Sequence, residues 1–296
     1  LNIFSTYHIY WIELNLKIKM SVITLTFGDM AENHKGMEQI GTMVAPGQGF
    51  DTRDLHEIKS IMENKGCVCE LISLSDEITP DATVLVIRNG INALLQDDGF
   101  SAEMMLEEQV RLNFDTKAFM YGNVRNKHAR WNLCYDFDSR EPDYEKGMGR
   151  IVGYGEVPIT DVLRLKFEQY FGQKACDLKI ESNYYYDVTK CGIGFHGDSE
   201  RRKVIGARLG QQEESMPLHF QWYINGNVYG DRLTIPLNNG DIYIMSEKTV
   251  GTDWRKKKIY TLRHATGCDR FTEIKPKKEK KEKKGTTIAT DIGIMC

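Results

Sequence analysis

Apolar and polar positions alternate with two different periods along this chain, and the change of period divides it. Val22 to Phe27 is a β-branched and apolar run that Gly28-Asp29 breaks, which predicts a buried strand. Over Asp51 to Asn64, the residues Leu55, Ile58, Ile61 and Met62 fall on one stripe and Gly66 follows as a stop, which predicts a helix. Val68 to Leu74 and Thr83 to Ile87 read as short buried strands. Ser101 caps a second helical stretch running through Met104, Met105 and Val110. These elements predict a small α/β module over residues 21–115.

From about Lys117 the pattern shortens to strands and turns. Leu218 to Ile224 leads into Asn225-Gly226, a pair suited to a type I′ hairpin turn. Asn239-Gly240 marks another turn before the strand Asp241 to Ser246, and Val204 to Leu209 and Ile259 to His264 complete the series. One helix, about Asp161 to Phe171, precedes them, with Val162, Leu163, Leu165 and Phe167 in its apolar set. Short strands with closely spaced turns predict a sandwich or barrel, and a jelly roll is the most economical choice. The expected fold class is therefore α+β: a double-stranded β-helix (jelly-roll) domain over 116–274 behind the α/β module.

Composition adds little until the ends of the chain. A hydrophobic share of 41% and a charged share of 27% are those of a globular protein able to bury a core. Among the seven cysteines only Cys67 and Cys69 lie close together, so neither a zinc site nor a disulfide framework is indicated. That usage fits a reducing intracellular compartment, cytoplasm or nucleus. The net charge of −3 conceals a Lys-rich tail at 275–296, with seven Lys against two Glu between Lys275 and Lys284. The tail is expected to be solvated and disordered, with nuclear import or weak nucleic-acid binding as the alternative. The leader, residues 1–20, has an apolar patch from Tyr7 to Ile12 too short to span a bilayer and no small-residue cleavage site. It is expected to be upstream sequence or a disordered extension before Met20. No membrane association is expected, and the oligomeric state is left open.

The chemistry concentrates in Asn183-Tyr-Tyr-Tyr-Asp187 and Cys191-Gly-Ile-Gly-Phe-His196-Gly-Asp198-Ser-Glu200. On extended backbone, residues i and i+2 point to the same side, so the His196 imidazole and the Asp198 carboxylate can meet one ion. A third ligand must come from elsewhere, and His264 lies 68 residues on, at the end of a predicted strand. Two histidines and a carboxylate on one face form the triad that non-haem Fe(II) oxygenases use, leaving positions for a keto acid and dioxygen. The same donors do not by themselves exclude zinc. His34, His56, His128 and His219 have no second ligand at suitable spacing; Arg130 and Trp131 lie where a substrate-facing lid would be, but such a pair is ordinarily surface structure and is left out of the site.

Asn183-x-Tyr185 followed by Gly-Ile-Gly-Phe-His-x-Asp-x-Glu resembles the core of AlkB-like 2-oxoglutarate and Fe(II)-dependent dioxygenases. Val204 to Gly210 is similar to that family's strand ending in Leu-Gly, and Gly240-Asp-Ile-Tyr-Ile-Met-Ser246 to its later Gly-Asp strand. Ala129-Arg-Trp-Asn-Leu-Cys134 looks like divergent relatives in algae and large DNA viruses. The resemblance covers about 180–272. It implies Fe(II) held by His196, Asp198 and His264, with 2-oxoglutarate and O2 as cosubstrates. Asn183 and Tyr185 would contact the keto acid. An arginine would bind its distal carboxylate, with Arg270 the first choice and Arg208 the second. The chain departs from the family where Trp254 is followed by Arg255 and Lys256 instead of the distal histidine, and where Arg270 follows His264 by only six residues. The implied activity is hydroxylation or oxidative demethylation of a substrate. That substrate is expected to be alkylated nucleic acid engaged through the tail, or alternatively a protein side chain or small molecule. A jelly-roll binding protein with a degenerate site is the third reading.

Overall fold

Strand β1 (Val22–Gly28) is buried on both faces, as a strand in the middle of a sheet must be. In a computed structural model describing residues 21–210 and 216–274, it lies inside an eight-stranded sheet. The expected leader over 1–20 and tail over 275–296 fall outside the described residues. The sheet order is β4 (Cys69–Ser73), β5 (Thr83–Ile87), β15 (Ile242–Met245), β12 (Val204–Leu209), β1, β10 (Lys179–Tyr185), β8 (Trp131–Asp136) and β9 (Ile151–Gly153). Neighbours are antiparallel except β8 and β9.

A second sheet of four strands runs β11 (Gly192–His196), β16 (Thr261–Gly267), β13 (Leu218–Ile224) and β14 (Asn227–Ile235). Two hairpins stand apart, β2 (Met30–Glu32) with β3 (Gln39–Gly41) and β6 (Lys117–Met120) with β7 (Asn123–Asn126). Helices α1 (Thr52–Asn64), α2 (Gly90–Leu95), α3 (Ala102–Val110) and α4 (Pro158–Phe171) are joined by two single turns, α5 (Glu247–Val250) and α6 (Asp269–Thr272). Local chemistry sets several ends: Asp51 and Asp54 form a capping box on α1, and Ser101 caps α3. Asn225 and Gly226 both take positive φ, so the β13–β14 turn closes directly from Ile224 to Asn227.

Strand parity sorts the large sheet into two faces. Ile23, Leu25 and Phe27 of β1, Ile205 and Ala207 of β12, and Ile244 of β15 pack with Leu55 and Met62 of α1 and Phe167 of α4. The alternate residues look the other way. Val204, Tyr243 and Met245 meet Phe220, Trp222 and Leu262 of the small sheet in a second core. Fully burying side chains of this size contributes roughly 1.5–3 kcal/mol each. Farther along the same inward face the residues turn polar, and there a cavity opens.

The chain is thus mixed α+β and mostly sheet. The boundary expected near residue 115 does not divide it, because β1, β4 and β5 belong to the same sheet as β10, β12 and β15. The strand expected to end at His264 runs on to Gly267, which puts His264 at its middle. Among the described residues no helix is long and apolar enough to cross a membrane.

Candidate metal and anion site

The cavity encloses about 690 Å³. Inward-facing residues of β1, β10, β12, β15 and β16 line it, among them Thr24, Asn183, Tyr185, Arg208, Tyr243 and His264. Strands β11 and β16 pair so that His196 and His264 are direct partners, after an irregularity in β11 between Ile193 and His196 that re-aims the strand's end. Asp198 follows on a loop pinned by its own N–H to the Val250 carbonyl at 3.0 Å. Close backbone approach makes that possible. A Cβ on Gly197 would collide with the Gly251 carbonyl oxygen.

One ligand atom from each of His196, Asp198 and His264 lies within 4.8 Å of the others. Asp198 Oδ1 stands 3.5 Å from His196 Nε2 and 3.6 Å from His264 Nε2. His196 Nδ1 faces two carbonyl oxygens, of Gly194 at 2.8 Å and His264 at 3.1 Å. Carbonyls only accept, so the proton sits on Nδ1 and the Nε2 lone pair is directed at the cluster. Burial, then the neighbouring His264, pull the His196 pKa down to about 4, so this ring is neutral at physiological pH. Burial would raise the Asp198 carboxyl, but the Arg201 guanidinium and His264 outweigh it and hold the pKa below the usual carboxylate range. Neutral imidazole and ionised carboxylate are the forms that bind a metal. The donor set therefore fits a divalent transition ion taking nitrogen and oxygen ligands.

Behind the cluster, Arg201 is only 3% exposed and spans three acids. It reaches Glu181 at 2.6 Å, Glu200 at 3.1 Å and Asp198 at 3.7 Å. Burial and the charge of Asp198 push Glu200 up to about 7.

Across the cavity Arg208 is equally buried, at 3% exposure, and among the described residues it pairs with no acid. Its only bond runs from Nη1 to the Met216 carbonyl at 2.9 Å, and Nε is buried without a partner among the described residues. Burial pulls its pKa down, opposed by nearby Tyr243 and Tyr185. Both phenols are themselves pushed up by burial and stay protonated. Among the described residues this guanidinium has no counter-ion.

No family model matches the chain. An uncharacterized protein of Acanthamoeba polyphaga mimivirus is 49% identical to it over 259 residues, covering 85% of this chain and 97% of the viral one. The chain belongs to that protein's family.

In this member of the mimivirus protein's family the remaining expected residues fare unequally. Tyr185 and Asn183 both line the cavity. The Asn183 amide is already engaged: Oδ1 accepts from Arg130 Nε at 2.6 Å and Asn132 Nδ2 at 2.8 Å, and Nδ2 donates to Glu181 at 2.9 Å. Arg270 is exposed on α6 and does not line the cavity, because the chain turns away at Gly267 into a helix packed on β11. Of these two arginines, the second choice, Arg208, is the one that lines the cavity. His219 bonds Thr234 at 2.9 Å and stays outside the cavity. The sequence did not single out Glu181 or Arg201, and Arg130, read there as surface structure, lines the cavity. For Glu181 a signal existed, since Glu181, Asn183 and Tyr185 alternate on one face of β10.

Proposed function

We propose that this protein is an Fe(II)- and 2-oxoglutarate-dependent dioxygenase on a double-stranded β-helix scaffold. One observation carries the reading: two imidazoles and a carboxylate converge in the same cavity as a buried guanidinium that pairs with no acid among the described residues. A tetrahedral zinc hydrolase would use the first feature and leave the second without a role. The topology supports the same reading. Strands β10 to β16 pass between the two sheets in jelly-roll order, and β1 fits between β10 and β12, where an eighth strand would close the large sheet.

His196, Asp198 and His264 would hold the metal and leave one side of it open to the cavity. When bound, iron and 2-oxoglutarate supply the oxidising power, O2 and the keto acid giving succinate, CO2 and one oxygen atom inserted into a C–H bond of the substrate. Arg208 would hold the distal carboxylate in a bidentate fork, within reach of the protonated phenols of Tyr185 and Tyr243. Arg201 keeps Asp198 ionised, and its partner Glu181 fixes the guanidinium from behind. The apolar second core closes the inner end of the cavity and keeps water from that side. Demethylation of alkylated nucleic acid and hydroxylation of a protein or small molecule are both compatible with this chemistry.

The test is succinate release. Full-length protein with ferrous iron, 2-oxoglutarate and air is expected to form succinate, and His196→Ala and Asp198→Ala to abolish it. Formation at equal rates in wild type and both variants would remove the assignment.

A further inference from the structure

We propose that Arg130 anchors an oxyanion, carboxylate or phosphate, carried by the prime substrate, at a second anion subsite in the cavity separate from the one Arg208 offers. The inference rests on the dioxygenase reading for the word substrate, but the subsite itself stands on the geometry around Arg130.

Arg130 lines the cavity just ahead of β8. Its Nε donates to Asn183 Oδ1 at 2.6 Å, and its terminal nitrogens have no partner among the described residues. Nor does any carboxylate there lie within ion-pair distance. Glu181, which accepts from the Asn183 amide, pairs instead with Arg201 at 2.6 Å.

The acceptor that holds Arg130 is itself rigid. Asn183 is fixed by Asn132 and Glu181, and Asn132 in turn accepts from the buried Lys127 ammonium at 3.1 Å. Four buried polar side chains thus fix a single nitrogen of the guanidinium and leave its fork open to the cavity. A planar fork of free N–H groups matches an oxyanion bidentately, whereas one needed only for packing would have its ends satisfied as well.

The two arginines are set apart by the sheet. Arg208 pairs with Thr24, Thr24 with Asn183, and Asn183 with Asn132, a row crossing four strands. Two strand spacings, about 10 Å, separate Arg208 from Asn183, the residue that holds the Arg130 guanidinium at 2.6 Å. A cavity of about 690 Å³ is within the range that holds a drug-sized ligand, and a five-carbon keto diacid at Arg208 leaves the Arg130 side free. Trp254 at the rim, braced by Ser199 at 3.0 Å and with Arg255 over its ring at 5.1 Å, offers an apolar and cationic entrance for the rest of such a molecule.

The experiment is calorimetric titration of the full-length chain with inorganic phosphate and with acetate, with and without Mn(II) and 2-oxoglutarate, in wild type, Arg130→Met, Arg130→Lys and Arg208→Met. Arg130→Met is expected to weaken oxyanion binding at least tenfold, with partial recovery in Arg130→Lys, and to leave 2-oxoglutarate affinity within twofold. Arg208→Met is expected to do the reverse, and the tighter of the two probes identifies the substituent. Oxyanion binding unchanged in Arg130→Met, or absent from wild type, overturns the proposal. So does loss of 2-oxoglutarate binding in Arg130→Met alone, which would make Arg130 the cosubstrate's partner. If wild type binds phosphate through Arg130 but no 2-oxoglutarate under any condition, the subsite is supported and the dioxygenase reading fails by itself.

Discussion

Arg208 shows at the scale of one residue how a folded chain can hold a cost in reserve for a ligand. Among the described residues its guanidinium, buried in the cavity wall, has one carbonyl contact and an unpartnered Nε. Burying a charge without an opposite charge is destabilising by several kcal/mol even after relaxation. Arg208→Met is therefore expected to raise the urea midpoint of the ligand-free protein while weakening 2-oxoglutarate binding about a hundredfold, roughly 2.7 kcal/mol. Denaturation curves and titration on the same preparation check both halves, and a variant that loses stability along with binding would make Arg208 a structural residue. Parity put this residue on a strand face with Val204 and Gly206 but left an outward surface arginine equally open; the structure buries it. Arg270 misled because distance along the chain from His264 says nothing about which way the chain turns after Gly267. Arg130 was hidden for a related reason: what makes it notable is an acceptor on β10, 53 residues away.

Strand β12 carries the matching lesson for elements. Its outward residues Ile205 and Ala207 pack on the helices, while Val204 faces the second core and Arg208 the cavity. Between them, Gly206 lies under the Tyr243 ring, and a Cβ there would fall within the ring itself. Gly206→Ala is expected to force Tyr243 off its place in the cavity wall and cost about 1–3 kcal/mol. Urea denaturation measures it, and an unchanged midpoint would mean that the ring moves freely. Hairpin β13–β14 and helices α1 and α3 were readable because their signals are local: Asn225-Gly226, the Leu55, Ile58 and Met62 stripe with its Gly66 stop, and the Ser101 cap. Strand β16 was cut short at His264 because Ala265, Thr266 and Gly267 lack apolar character. Their pairing with β11 and β13 supplies what propensity does not.

For the whole molecule, the position of β1 decides how the site is built. A strand from the beginning of the described chain pairs with β10 and β12, more than 150 residues later, and contributes Thr24 and Thr26 to the cavity. The sequence announced a buried strand at Val22 to Phe27 but could not name its partners, so it was grouped with its neighbours in sequence. Central strands are the last to open, so the β1 amides are expected among the slowest to exchange in the molecule, together with those of β10 and β12. Fast exchange of β1 beside slow β10 would restore the picture of a detachable N-terminal module. All of this serves the convergence of His196, Asp198 and His264. The most direct measurement is anaerobic equilibrium binding of Fe(II) to the full-length protein. One ion per chain is predicted, its affinity falling at least a hundredfold in His264→Ala, with 2-oxoglutarate bound tightly only when the ion is present. Absence of specific Fe(II) binding, or binding that His264→Ala leaves unchanged, would contradict the account.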